Sequence, residues 1–228
     1  MISYRVIRSR RKTISMEISP EGEVIVRAPM RCRNAFIADF VGKHLLWAER
    51  NQRRVLERLA IRASFRLKDG DSLPLWGESF EVVLCEKDAL RLDFDENRIF
   101  LPDLPVQELR PRLYQLYKDQ GRQLLQDRLD FWAERMGVSY RTMRIGSAVK
   151  RWGSCSRDGN INLSWLLFFA PLEAVDYLLV HELSHRVEFN HSPRFWAVVQ
   201  RYIPDYPQRK KLVNDTQQIL LSQGWAEK

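Results

Sequence analysis

The stretch VHELSHRVEFNH, residues 180–191, holds three of the chain's four histidines. His181 and His185 stand four residues apart, so on a helix both imidazoles leave the same face and can grip one metal ion. Glu182 follows the first histidine and would lie beside a metal-bound water, where a general base is needed. The preceding residues, LEAVDYLLV (172–180), are apolar enough to bury one side of that helix. A buried helix carrying two histidines and a glutamate needs polar partners, and a metal supplies them. His191 comes six residues after His185, out of phase with a continuing helix, so the chain must turn back for it to reach the same ion. Asn190, which tolerates a left-handed backbone, is expected to allow that break. Three neutral histidines and one water make an open tetrahedral site for one zinc per chain, and hydrolysis is the class of reaction such a site performs.

Working outward, the segment KRWGSCSRDGNINLSWLL (150–167) reads as strands joined at an Asp158-Gly159 turn, with Ile161, Leu163 and Trp165 alternating inward. In the strand Asn160–Trp165, polar Asn160, Asn162 and Ser164 alternate with the apolar set, as a half-buried strand does. Arg151 is the better of two neighbouring cations for holding a developing oxyanion or a phosphate, because its guanidinium is a bidentate fork. The competing reading makes Lys150–Ser156 only a strand end with a tight turn. Cys155 reads as a small packed residue, since zinc–water chemistry needs no thiol. Phe195 and Trp196 read as core residues clamping the loop of the third histidine, and Arg209–Lys211 as solvated helix surface.

Upstream, Leu109, Leu113, Leu116, Leu124, Leu125, Leu129, Trp132 and Met136 form one helical stripe closed by Gly137. Residues 138–166 are expected to be antiparallel strands, and from Pro171 onward the pattern is helical, broken near Asn190 and at Pro204 and Pro207. Before Pro102–Pro105 the chain reads differently. Residues 13–28 form a hairpin about Pro20-Glu21-Gly22, Phe36 to Leu59 read as one long amphipathic helix, and 65–101 return to strands with turns at Asp69-Gly70 and Asp95–Asn97. The expected division is therefore a β-rich module with one embedded helix over 1–103 and a catalytic domain over 104–228.

The chain has 228 residues, 45% hydrophobic and 29% charged, as a soluble globular protein does. No apolar run approaches the length needed to cross a bilayer, and MISYRVIRSRRK lacks the apolar core of a secretory signal, so the expectation is a cytoplasmic protein with no membrane partner. Cys32, Cys85 and Cys155 include no CxxC pair and point to reduced thiols. A net charge of +8 raises the question of an anionic partner, nucleic acid among them. The arginines at 50, 53, 54, 58, 62 and 66 suit a solvated helix face at least as well.

HELSHRVEFNHSPRFW (181–196) together with the 150–167 segment resembles the YgjP-like metallopeptidase domain, a family related to the SprT-like and WLM zinc proteases. The resemblance covers nearly the whole chain and is most specific over 150–196. It implies an α+β fold with a minimal zincin core of gluzincin type, built on antiparallel strands and the HExxH helix. It also implies His181, His185 and His191 as zinc ligands, Glu182 as catalytic base, a peptide or protein as substrate, and the strand Asn160–Trp165 beside the active-site cleft, where an exposed edge could pair with an extended peptide. The His181-to-His191 spacing is similar to that of the metzincins, but Glu188 stands where their pattern has glycine. Two other readings stay open. One is a metal-dependent hydrolase splitting a nucleoside triphosphate such as UTP into monophosphate and diphosphate, favoured by Lys150-Arg151 and disfavoured by the missing phosphate loop. The other is a non-catalytic zinc protein with a basic nucleic-acid-binding face, against which Glu182 argues.

Overall fold

The computed structural model describes residues 2–86 and 89–226, with the Arg62 side chain outside the description. It is a mixed α+β chain of two compact units, Met1–Ser64 and Phe65–Lys228. In the first, β1 (Tyr4–Ser9), β2 (Ser15–Ile18) and β3 (Val24–Pro29) form a sheet in the order β1-β3-β2. β2 and β3 are the expected hairpin, paired from Ser15↔Arg27 to Ile18↔Val24, and Gly22 adopts the φ of 84° that its turn demands. β1, parallel to β3, has no counterpart among the sequence-based expectations. Its arginines hide it, because Arg8 looks like a surface charge yet reaches the carbonyl of Cys32 at 2.6 Å. The single helix expected over 36–59 is two, α1 (Asn34–Lys43) and α2 (Leu45–Ser64). They part at His44, whose φ of −111° and ψ of 12° leave the helix and whose ring nitrogen bonds the Phe40 carbonyl at 2.8 Å. α1 closes Ile37 and Val41 over Val26 and Ala28.

The second unit begins with β4 (Ser72–Leu75), β5 (Glu78–Cys85), β6 (Arg91–Asp93) and β7 (Arg98–Pro102), ordered β4-β5-β7-β6. Their inward residues Leu73, Phe80, Val82 and Leu101 share one core with Leu109 and Leu113 of α3 (Val106–Met136). The division expected at 103/104 thus falls inside a continuous core, and the compact units part at Ser64/Phe65 instead. Pro105 does start α3, and Gly137, at φ 64°, ends it as expected. At Gly121 the α3 backbone comes close against the core, since a β-carbon there would lie 2.2 Å from the Phe168 ring.

β8 (Thr142–Gly146), β9 (Gly153–Cys155) and β10 (Asn160–Ser164) form a sheet ordered β8-β10-β9. β9 and β10 are antiparallel about the turn at Gly159, but β8 runs parallel to β10, against the all-antiparallel expectation. Alternation reports which face of a strand is buried and not which way its neighbour runs. β10 is therefore the central strand, with both edges paired, and it offers no free edge to a peptide. The free edge on this side belongs to β9. Trp165 also leaves the strand. It opens a short 3-10 helix, Trp165–Phe169, capped by Ser164 accepting from the Leu166 N–H, with all five residues buried. Three helices complete the unit: α4 (Leu172–Ser184), α5 (Pro193–Tyr202) and α6 (Tyr206–Ser222). Pro207 sits in the first turn of α6, where its missing N–H costs nothing, and does not break it. Among the described residues no helix is long and apolar enough to cross a membrane.

Candidate active site

α4 carries His181 and Glu182 in its last turn, and His185 is its C-terminal cap. The helix is held from behind by Asp176, which accepts from Arg128 Nε at 2.7 Å, Arg128 Nη2 at 2.6 Å and Trp132 Nε1 at 3.0 Å on α3. Sequence reading had no signal for this tie, because Asp176 looks like an ordinary polar position on a helix. After the helix, Val187 and Glu188 N–H groups both donate to the Ser184 carbonyl. The chain then turns by a tight Ser192 N–H to Asn190 carbonyl bond of 2.7 Å. Asn190 is not left-handed as expected; among the described residues the non-glycine positive-φ positions are Trp76 and Asn97. Arg186 pins this return, donating to the Ser139 carbonyl at 3.0 Å and the Arg157 carbonyl at 2.6 Å. Ser192 then caps α5 through the Phe195 N–H.

The result brings one ring nitrogen each of His181, His185 and His191 within 4.8 Å of one another. The Nε2 atoms of His181 and His191 are 3.1 Å apart. Burial, then the charges of His185, His191 and Lys210, push the His181 imidazole down to about 3, and burial followed by His191 lowers His185. Both rings are thus neutral, with lone pairs to give. Three imidazoles whose ring nitrogens already crowd together are the donor set a divalent metal takes, so the residues fit such an ion. Among the described residues no fourth His, Cys, Asp or Glu joins the group, and His191 is exposed, which leaves one side open. Phe195, fully buried, lies 4.6–4.9 Å from all three imidazoles, and Trp196 stacks on His191 at 5.9 Å. Both clamp the histidine loop, as expected.

Glu182 is 4% exposed, and burial pushes its carboxyl up to about 7 against the downward pull of the Arg151 guanidinium. Its carboxylate lies against the backbone of β9, where a β-carbon on Gly153 would stand 2.5 Å from Oε1 and 2.9 Å from Cγ and Cδ. Within the Lys150–Ser156 segment Gly153 opens β9 and is not a turn residue, and its lack of a side chain is what admits the Glu182 carboxylate. Arg151 is exposed and acts on Glu182 through its charge. The Cys155 thiol is pushed up by burial and then by Glu182, which keeps it protonated and agrees with a packing role. Two site residues escaped the sequence reading. Lys210, expected as free helix surface, lies over the Trp196 ring at 5.2 Å, and Tyr206 stacks on the same indole at 5.3 Å. They come from α6 and meet the site only through tertiary packing.

The sequence model of the YgjP-like metallopeptidase domain matches residues 12–216. A solved structure, the crystal structure of the metallopeptidase zymogen of Pyrococcus abyssi abylysin, is similar at 24% identity over 42% of this chain and 94% of that one, with a TM-score of 0.38. No curated protein matches the chain.

Proposed function

This chain belongs to the YgjP-like metallopeptidase domain family and is a metal-dependent hydrolase, and we propose that it is a zinc peptidase in which His181, His185 and His191 hold one zinc and Glu182 is the general base. The observation that carries the proposal is the three-histidine group, which no fourth protein ligand joins among the described residues, with a buried carboxylate next to His181 on α4. A closed four-ligand site would be structural; an open one leaves a position for water and substrate. Bound zinc would supply an acidified water and polarisation of the scissile carbonyl. Glu182 takes the proton at Oε1 or Oε2 and passes it to the leaving amine. Its buried carboxyl, pushed up to about 7 by burial, is suited to that exchange. Arg151 stands near enough to act on Glu182, and we assign it to the charge that develops on the carbonyl oxygen.

The peptide substrate is proposed to lie along β9. Within the ladder, the Trp152 carbonyl accepts from Ser164 N–H at 2.7 Å and Ser156 N–H donates to Asn160 at 3.0 Å. By the period of two, Gly153 and Cys155 then turn their backbone groups to the free edge, beside Glu182. An extended peptide adding there would pass the base. An antiparallel edge strand beside the metal-binding helix also supports a minimal zincin core of gluzincin type as the fold assignment.

The test is turnover of a casein-derived peptide and a panel of nucleoside triphosphates by the zinc-loaded protein and its Glu182→Gln variant. Peptide cleavage that falls by about 10²–10⁴-fold in the variant is expected. Glu182-dependent release of phosphate or diphosphate without peptide cleavage would refute the peptidase assignment, and full activity in the variant would refute the assignment of the base.

A further inference from the structure

The net charge of +8 is not shared between the two units. Residues 1–64 hold 14 Lys and Arg against 6 Asp and Glu, whereas residues 65–228 hold 23 of each. The whole excess therefore sits on a unit of 64 residues that contains none of the proposed catalytic groups. Of its 14 cations, 12 are arginine, whose planar fork bonds phosphate bidentately and stacks on aromatic rings.

Part of this excess is spent on structure. Arg5 pairs with Glu23, Arg27 with Glu17 and Lys43 with Asp39, which occupies half of the unit's acids. The arginines of α2 are different. Arg50, Arg53, Arg54 and Arg58 are exposed, and among the described residues none of them makes an ion pair. Arg50, Arg54 and Arg58 recur every fourth residue, forming a row with a step of about 6 Å along one side of the helix. Between α2 and β2 lies a groove of about 720 Å³ whose lining includes Met16, Ile18, Trp47, Arg54, Val55 and Arg58. Trp47 is 46% exposed. A half-exposed indole on an apolar groove with unpaired guanidinium groups along it offers a base a stacking surface and its phosphates their counter-charges.

We propose that unit 1 is a binding site for single-stranded nucleic acid, with the strand lying along α2, phosphates on Arg50, Arg54 and Arg58, and a base against Trp47. The site is concave, which a flat bilayer cannot enter, and a duplex keeps its bases stacked inside, away from the indole. The combination of an aromatic platform and a cationic track is the general design for single strands. Glu17 and Glu57 also line the groove; Glu17 is bound to Arg27 at 2.8 Å.

The experiment uses the full chain and follows the anisotropy of a fluorescein-labelled oligo(dT) of about 20 nucleotides, a length that covers one or two typical site sizes. Salt is varied from about 50 to about 200 mM. Binding should weaken with salt, and Arg54→Gln/Arg58→Gln should flatten the log–log slope by about 1.4, two phosphate contacts at about 0.7 each. Trp47→Ala should lower affinity about 10-fold, the scale of one lost base stack. All these positions are solvent-facing, and circular dichroism verifies that the variants stay folded. Tighter binding to the matching duplex, binding to phosphatidylserine vesicles in place of the oligonucleotide, or an unchanged slope in the double arginine variant would each overturn the proposal. Because Glu182 and the histidines are untouched, peptide turnover is unaffected by these variants, and the result is independent of the proposed reaction.

Discussion

Replacing Gly153 by alanine should silence hydrolysis without unfolding the protein. The added β-carbon would stand 2.5 Å from Glu182 Oε1, whereas ordinary contact begins near 3.4 Å, so the carboxylate must retreat by about 0.9 Å. Glu182 is 4% exposed and cannot swing freely into solvent to do so. Gly153 has no left-handed backbone that alanine would strain, so the effect acts through the contact alone. A displacement of about 1 Å in a reacting group costs about 100-fold in rate, equivalent to about 2.7 kcal/mol of barrier. Overpacking should also lower stability by about 1–3 kcal/mol. The assay is steady-state turnover with zinc content and thermal midpoint measured alongside. Gly146→Ala serves as the control, since a β-carbon there meets nothing within 4 Å, and it should be near neutral. The decisive comparison is the double variant Gly153→Ala/Glu182→Gln. If Gly153 acts by making room for Glu182, the double variant is no slower than Glu182→Gln alone. Full activity in Gly153→Ala, or losses that simply add in the double variant, would refute the reasoning.

Gly121→Ala on α3 gains up to about 1 kcal/mol of helix propensity but drives a methyl group to 2.2 Å from Phe168 and 2.6 Å from Trp76. The clash should win, lowering the urea midpoint, while Gly42→Ala on α1, with nothing within 4 Å, should raise stability by up to about 1 kcal/mol. Asp176→Ala strands Arg128 and the Trp132 N–H beneath α4 and should cost about 3 kcal/mol, the low end for a broken buried pair because Arg128 is 31% exposed. Denaturant unfolding measures it. Zinc at about 100 times its dissociation constant should stabilise the fold by about 2.7 kcal/mol, read as a rise in thermal midpoint. That rise should be reversed by a chelator and absent in His191→Ala.

Much of the site is legible in the residues because local spacing carries it. The four-residue step from His181 to His185 places two imidazoles on one helix face by geometry alone, and the stripe from Leu109 to Met136 with Gly137 behind it fixes α3 from both ends. Turns at Gly22, Gly70, Asn97 and Gly159 are positive-φ positions that residue type announces. The return of His191 was correctly required by phase, yet its cause was not Asn190 in a left-handed conformation but a tight turn backed by Ser184 and by Arg186 reaching two distant carbonyls. No pattern within a dozen residues contains the Ser139 and Arg157 carbonyls that Arg186 reaches.

The amino-acid sequence by itself determined which side chains could share a metal, where the long helix begins and ends, and how much positive charge the chain bears. Tertiary structure alone decided the rest. It set β8 parallel to β10, made β9 the free edge, pressed Gly153 against Glu182, brought Lys210 and Tyr206 to Trp196, and divided the chain at Ser64 so that all the net charge lies on one side. The physical reason is range. Helical phase, turn conformation and charge are properties of neighbouring residues, whereas strand direction, close approach and the sharing of a core depend on groups tens of residues apart that meet only when the chain has closed.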